Sequence, residues 1–99
     1  MTYIPRFTDL SKADYDSLEG SQKKHILKSL LKIEEHGMNT GQQLHGNLYD
    51  CRKLKHKKLG LRVIFRESAD AIEIIEIVTV GKREDNEAYV IAAERLGRN

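Results

Sequence analysis

The chain of 99 residues lacks the sequence features of disulfide-rich, multi-cysteine zinc, membrane-spanning and secreted proteins. Its single cysteine, Cys51, excludes an internal disulfide framework and a zinc site with several cysteine ligands, and it fits a reducing compartment. The longest apolar stretch, 74–80, is interrupted by Glu76 and is far shorter than the roughly 20 residues that span a bilayer. Residues 1–10 lack the apolar core of a signal peptide. We therefore predict one domain over residues 1–99, cytoplasmic and without a membrane association.

Proline is almost absent too, and no Gly-rich linker or repeat divides the chain. The only proline, Pro5, lies in a β-prone stretch, 3–7, where it favours an edge strand because it cannot donate to a ladder. Ser11 and Ser21 are the predicted N-caps of two consecutive helices. The second helix has apolar residues at helical spacing, namely Ile26, Leu27, Leu30, Leu31 and Ile33. Gly37 is its predicted end.

The second half of the chain changes to an extended pattern after a predicted loop over 38–46. Three strands are predicted, over 48–55, 61–67 and 72–80. The last of them carries isoleucines on both faces, which indicates a central strand that is buried on both sides or has a bulge near Ile74. Asn86 is the predicted cap of a final helix that runs to Leu96.

These elements predict an α+β fold in the order β-α-α-β-β-β-α. Short connections favour antiparallel pairing, so the small twisted sheet is expected to be antiparallel except at its N-terminal strand. Two N-terminal helices are expected on one face of the sheet, with the C-terminal helix added at the end.

The net charge of only +2 conceals a local excess of cations. Between residues 51 and 66 there is no acidic residue, and the basic residues are Arg52, Lys53, Lys55, Lys57, Lys58, Arg62 and Arg66, with His56 among them. Such a block is either a solvated face or a site for a polyanion. For Lys57 and Lys58, next to a turn, solvation is the simpler interpretation.

Strand alternation indicates that the other cations converge. If Leu54 points to the core, its neighbours Lys53 and Lys55 point to the opposite side of the strand. In the next strand the apolar residues Leu61, Val63 and Phe65 form the core face, so Arg62 and Arg66 point to that same opposite side. Like charges that face one another destabilise a sheet, so an anionic ligand would relieve this arrangement. Downstream, Lys82, Arg83 and Tyr89 are placed to join the same surface. Cations together with an aromatic ring suit a phosphate backbone and a stacked base.

Simpler interpretations remain open for several residues. Arg83 has Glu84, Asp85 and Glu87 as possible ion-pair partners, and Tyr89 fits the core face of an amphipathic helix. The four histidines have no metal-ligand spacing, and no metal site or cofactor is predicted. His45 and His56 flank the basic segment and are conceivable general bases. Cys51 is expected to be a small buried thiol.

Four segments in a fixed order resemble the RelE toxins of the RelE/ParE superfamily, which belong to type II toxin–antitoxin systems. They are Cys-Arg-Lys-Leu-Lys at 51–55, Gly-Leu-Arg-Val-Ile-Phe at 60–65, Val-Gly-Lys-Arg at 80–83 and Glu-Ala-Tyr at 87–89. The resemblance implies a ribosome-dependent endoribonuclease that cleaves mRNA in the ribosomal A site and inhibits translation. The residues that match the family's catalytic site are Lys53, Lys55, Arg62, Arg83 and Tyr89.

The resemblance also implies partners. A cognate RelB-like antitoxin is expected, together with the ribosome and mRNA, and operator DNA only indirectly through the antitoxin. The residues expected to contact RNA or the ribosome are Arg52, His56, Lys57, Lys58, Arg66 and Lys82. A ParE-like gyrase poison without enzymatic activity and a catalytically inactive relative are the alternatives.

RNA cleavage by its own 2′-hydroxyl needs a base, cations for the charge on phosphorus and help for the leaving 5′-oxygen. Lys53 or Lys55 is the expected base, because crowding by other cations lowers a lysine pKa. Arg62 would hold the phosphate with its fork of donors. The leaving group would be stabilised by Arg83, and Tyr89 would stack on or orient a displaced nucleotide.

Overall fold

The computed structural model describes residues 2–98 as a five-stranded mixed sheet with three α-helices. The elements are β1 (Ile4–Phe7), α1 (Asp9–Asp16), α2 (Gly20–His36), β2 (Gln42–Gln43), β3 (Cys51–His56), β4 (Leu61–Glu67), β5 (Ile74–Lys82) and α3 (Asp85–Arg95). The strand order is β1-β5-β4-β3-β2, with β1 parallel to β5 and all other pairs antiparallel. The predicted α+β class and the edge position of the Pro5 strand are confirmed.

The two N-terminal helices begin earlier than predicted. Thr8 caps α1, and Ser11 is instead the third helical residue of a reciprocal capping box, in which Thr8 N donates to Ser11 Oγ at 2.9 Å and Ser11 N donates to Thr8 Oγ1 at 3.1 Å. Glu19, not Ser21, caps α2. The N-cap residue and the third helical residue that bonds back to it are both polar. Residue type alone therefore does not show which of the two is the cap. Gly37 ends α2 as predicted, with a φ of 56°.

The predicted loop 38–46 contains the short edge strand β2. Gln42 pairs with Lys53 and Gln43 with Arg52. The Arg52 guanidinium holds this segment in place through three acceptors, Thr40 O at 2.8 Å, Gly41 O at 2.6 Å and Gln43 Oε1 at 3.0 Å. Because the strand depends on residues about ten positions away, a local pattern does not reveal it.

The other strand and helix limits shift by a few residues, whereas β4 has the predicted bounds. A 3₁₀ turn over Gly46–Leu48 delays β3 to Cys51, and β5 begins and ends two residues later than predicted. Glu84, not Asn86, is the N-cap of α3.

Strand β5 is central and buried on both faces, as predicted, and it also contains a bulge. Ile64 pairs with Thr79 whereas Phe65 pairs with Ile77, so Val78 is the extra residue. The bulge therefore lies four residues beyond the predicted position, Ile74.

The sheet separates two apolar clusters. The cluster on the α2 face contains Ile26, Ile33, Leu61, Val63, Phe65, Ile75, Ile77 and Val80, with Tyr15 of α1 packed against it. The cluster under α3 contains Leu44, Leu48, Cys51, Ile64, Val78, Ala88, Ala92 and Ala93. The predicted apolar face of β4 thus packs on the helix pair, which leaves its alternate residues under α3. Among residues 2–98, no helix is long and apolar enough to cross a membrane.

Candidate functional site

The strand register brings the predicted basic residues to one face of the sheet. Lys55 lies directly opposite Arg62, Lys53 opposite Ile64, and Cys51 opposite Arg66. Residues directly opposite in a ladder point to the same side, so the four cations Lys53, Lys55, Arg62 and Arg66 share the face that α3 partly covers. The predicted placement is confirmed. Lys55 and Arg62 are neighbouring like charges, which the fold must compensate.

Lys53 lies at the centre of this face and is only 5% exposed. Its Nζ donates a hydrogen bond to the Tyr89 hydroxyl at 2.9 Å and lies 3.2 Å from Asp85 Oδ1. The same Nζ is 5.4 Å from the centroid of the Tyr89 ring, within the range of a cation–π contact. Tyr89 and Lys53 therefore form one unit, although one lies in a helix and the other in a strand.

Arg62 is likewise buried and shares the acidic partner of Lys53. Its Nε contacts Asp85 Oδ1, and its Nη1 donates to Gly60 O at 2.8 Å. Asp85 is the first residue of α3, where a carboxylate is stabilised by the unpaired amides of the helix N-terminus. The Arg62 hydrogen bond, assisted by Lys53, holds the pKa of Asp85 below its usual value. We name Lys53, Arg62, Asp85 and Tyr89 the central cluster.

The central cluster shifts the pKa of Lys53 in the direction opposite to the predicted one. Burial by itself lowers the pKa of Lys53, but the hydrogen bonds and charges of Tyr89 and Asp85 outweigh burial and raise it. The predicted lowering of the Lys53 pKa was wrong, because the crowding cations are accompanied by a carboxylate. In the unbound protein, the contacts of Lys53 therefore favour its charged form.

Arg83 lies at the edge of the same region. It lines a shallow cavity of about 350 Å³ with Gly60, Arg62, Lys82, Glu84 and Glu87. Arg83 Nη1 donates to Glu87 Oε1 at 3.1 Å, so the simple ion-pair interpretation of this residue holds in the unbound protein. Its Nε is buried and has no hydrogen-bond partner among residues 2–98.

The other predicted site residues, the catalytic candidate Lys55 and the expected RNA contacts, are either exposed or already paired within the protein. Lys55, Lys57, Lys58 and Lys82 are exposed. Arg66 is engaged by carboxylates, since its Nε donates to Glu76 Oε2 at 2.7 Å and its Nη1 lies 3.8 Å from Asp50 Oδ2. Arg52 points to the opposite side of β3 from Lys53 and holds the β2 segment.

His56 also lies on the opposite side of the sheet. Its ring packs against His25 of α2 with a centroid distance of 4.1 Å and a tilt of 47° between the rings, and both Nδ1 atoms are buried without a hydrogen-bond partner among residues 2–98. His56 is therefore not placed to act as the general base of the central cluster. Across the same residues, no group of three or more His, Cys, Asp or Glu side chains is arranged to hold a metal ion.

Sequence reasoning missed Asp85 as part of the site. It was weighed only as a partner for Arg83, whereas the structure pairs it with Lys53 and Arg62. The sequence did carry a signal for it, because Asp85 is an acidic residue at the start of the last helix, shortly after the basic residues Lys82 and Arg83.

Comparison with known proteins agrees with the RelE resemblance. No family model matches the chain. A RelE-like toxin protein of Escherichia coli is 28% identical over 96 residues, which are 97% of this chain and 99% of that protein. The mRNA interferase toxin RelE of Escherichia coli strain K12 is 25% identical over the same shares of the two chains. The similarity therefore extends over nearly the whole length of both proteins.

Solved structures show the same fold. A doubly substituted mutant of the E. coli toxin RelE in the free state superposes with a TM-score of 0.80 at 24% identity, covering 97% of this chain and 99% of that one. The isolated E. coli RelE toxin gives a TM-score of 0.72 at 24% identity, with 95% and 98% covered. The mutant bound to a peptide of the antitoxin RelB gives 0.68 at 22% identity, with 93% and 95% covered. In sequence and in fold the chain is RelE-like, and the predicted resemblance is confirmed.

Proposed function

We propose that this RelE-like chain, as one domain over residues 1–99, is the toxin of a type II toxin–antitoxin pair and acts as a ribosome-dependent mRNA interferase that cleaves mRNA in the A site. The observation that carries the proposal is the central cluster, in which two buried cations and a tyrosine meet on the face of the sheet that α3 partly covers. All five residues that match the family's site lie on or beside this face. The full-length similarity to proteins named mRNA interferase RelE supports the same activity.

The reaction proposed for this site is attack of an RNA 2′-hydroxyl on its own phosphate. A phosphate on the central cluster would meet Lys53 Nζ and the Arg62 guanidinium, whose positive charges stabilise the extra negative charge in the transition state. The Arg83 side chain, which is partly exposed beside Arg62, would donate from its guanidinium to the departing 5′-oxygen. A guanidinium does not release its proton at neutral pH, so Arg83 acts by charge and hydrogen bonding.

The two lysines have different proposed roles. Lys53, fixed as a cation by Asp85 and Tyr89, provides electrostatic support. Lys55 is exposed on the same face and is the remaining candidate for the base. With RNA in place, Lys55 Nζ is the group proposed to accept the 2′-hydroxyl proton.

Dependence on the ribosome follows from the composition of the site. It consists of cations without a strong acid–base pair, so most of the rate must come from substrate held in line for attack. Messenger RNA positioned in the A site supplies that alignment. The half-exposed ring of Tyr89 would stack on a displaced nucleotide.

The proposed partner besides the ribosome is a cognate RelB-like antitoxin. Structures of E. coli RelE with the antitoxin RelB support a partner of this class. An acidic segment would complement the exposed cations Lys55, Lys57, Lys58 and Lys82. Any contact with operator DNA is proposed to run through the antitoxin, and the cytoplasm is the proposed location.

The test is mRNA cleavage on programmed ribosomes, mapped by primer extension. Wild type is compared with Arg83→Ala and Tyr89→Ala, and with two matched controls. Arg6→Ala removes an exposed arginine of β1, and Tyr49→Ala removes a tyrosine that is 69% exposed. A-site cleavage by wild type and both controls, with loss in the two site variants, supports the proposal.

Two results would contradict it. Growth arrest without mRNA cleavage would point to another target, with DNA gyrase the next to assay. Rapid cleavage of free RNA by the purified protein would refute the dependence on the ribosome.

A further inference from the structure

The carboxylate of Asp85 occupies the position that a phosphate needs. A single oxygen, Oδ1, contacts both Lys53 Nζ and Arg62 Nε, and the group lies at the first turn of α3. These are the donors that a bound phosphodiester would use. The anion site is therefore filled by the chain's own side chain in the unbound protein.

Neither cation depends on Asp85 alone for its position. Lys53 retains its hydrogen bond to the Tyr89 hydroxyl, and Arg62 retains its bond to Gly60 O. Both cations are nine-tenths or more buried, at 5% and 7% exposure. They would remain pointed at the same place if the carboxylate left.

Asp85 itself is free to leave. Its side chain is 41% exposed, in contrast to its two partners, and it lies at the end of a helix, where rotation towards water breaks no helical hydrogen bond. Two buried cations with a more exposed anion are the arrangement expected of a replaceable counterion.

We propose that Asp85 is a built-in counterion that stabilises the unbound toxin and is displaced by an RNA phosphate when substrate binds. The inference rests on the proposed function for the identity of the substrate. Asp85 thereby lowers the affinity for RNA in general, so that only substrate held in place by the ribosome displaces it. It is a regulatory group and takes no part in bond breaking.

The experiment measures RNA binding and cleavage with three variants. Asp85→Asn removes the charge with little change in shape, and Asp85→Glu retains it. Asp70→Asn removes an equal charge from a side chain that is 80% exposed and pairs with Arg6. The binding probe is a short fluorescent RNA with every 2′-hydroxyl methylated, which cannot be cleaved, titrated by anisotropy at low salt.

We expect Asp85→Asn to lower the Kd for the probe about tenfold, the effect of removing one competing charged contact. Asp70→Asn and Asp85→Glu are expected to stay within about twofold of wild type, since neither opens the central cluster. In cleavage measured with programmed ribosomes in excess over toxin and below saturation, Asp85→Asn should raise kcat/KM, whereas Asp70→Asn should not. An unchanged Kd for Asp85→Asn, or an equal gain in Asp70→Asn, would overturn the proposal.

These measurements distinguish a failure of the proposed cleavage activity from a failure of the proposed role of Asp85. If wild type does not cleave mRNA on ribosomes, the proposed activity fails, while the binding measurement still decides the role of Asp85. If Asp85→Asn does not fold, the wild-type protein provides the answer through the side-chain carboxyl ¹³C resonances. Titration with the methylated RNA should shift the Asp85 resonance and not that of Asp70, and a stationary Asp85 resonance at saturation would refute displacement.

Discussion

Arg95 and Asp14 form a two-point ion pair that joins α3 to α1 across 81 residues of chain. Nη1 donates to Asp14 Oδ2 at 2.6 Å and Nη2 donates to Oδ1 at 3.0 Å. The same carboxylate accepts from Val80 N at 3.1 Å and from Thr79 Oγ1 at 3.3 Å, directly after the bulge of β5. This one side chain connects both helices to the central strand, and α3 is the element that carries Asp85 and Tyr89.

Removing Asp14 should therefore destabilise the whole fold. In Asp14→Ala, the half-buried Arg95 loses its counterion and Val80 N loses its acceptor, for which we expect a loss of about 1–3 kcal/mol. Urea unfolding measures the difference. Asp16→Ala is the matched control, because Asp16 pairs with Lys12 on the exposed face of the same helix and should change stability by less than about 0.5 kcal/mol. Equal effects of the two variants would contradict the role of Asp14.

Acid should weaken the fold through three carboxylates. Burial alone would raise the pKa of Asp14, but the Arg95 hydrogen bond and the Val80 amide outweigh burial and lower it. The pKa of Asp50 is lowered by Arg98, and that of Asp85 by Arg62. A folded-state pKa below the unfolded value gives stability that is fully present above the ordinary value of 3.8 and is lost as pH falls through the folded value.

The measurement is the free energy of unfolding in urea from about pH 7 to about pH 3. We expect a plateau near neutral pH and a decline that begins at about pH 5. Asp14→Asn, which cannot titrate at this position, should show a shallower decline than wild type. An identical slope in the two proteins would exclude Asp14 as a contributor.

The two lysines of β3 should respond differently to substitution. Lys53→Ala removes a buried partner of Tyr89 and Asp85, so we expect a stability loss of about 1–3 kcal/mol together with loss of cleavage. Lys55→Ala changes an exposed side chain and should leave stability within about 0.5 kcal/mol while reducing cleavage about a hundredfold or more. Urea unfolding and single-turnover cleavage on ribosomes separate the two patterns. Full activity of Lys55→Ala would remove it as the base candidate.

At position 89 the ring and the hydroxyl have separable roles. Tyr89→Phe keeps the ring and loses the acceptor of the Lys53 hydrogen bond, which should cost about 1 kcal/mol of stability and a few-fold in cleavage. Tyr89→Ala also removes the stacking surface, for which a loss of about 10-fold to 100-fold is expected. Equal activity of the Phe and Ala variants in ribosomal cleavage would argue against stacking.

Cys51 should be chemically inert in the folded protein. Burial, with a contribution from Asp50, raises the pKa of its thiol to about 12, and the side chain is fully enclosed under α3. A thiol reagent such as dithionitrobenzoate should react with it only after urea unfolding. Ser21→Cys in a Cys51→Ser background provides an exposed control on α2 that should react at once. Rapid labelling of native wild type would show that the region under α3 opens.

Local patterns in the sequence were sufficient for much of this architecture. The alternation in 61–67 predicted the bounds of β4 and the face that each side chain takes, because burial on one side of a strand imposes a period of two. The single proline predicted an edge strand, and isoleucines on both faces predicted a central one. The basic segment and its face followed from the same alternation.

Only the tertiary structure decided what those cations touch. The β2 pairing, the bulge at Val78 and the contact of His56 with His25 all join residues far apart in the chain. The same holds for Asp85, which enters the site because α3 crosses back over β3 and β4. Electrostatic energy depends on distances in space, so the sequence by itself determined which charges are present, and the packing of α3 on the sheet decided that Lys53 is held as a cation.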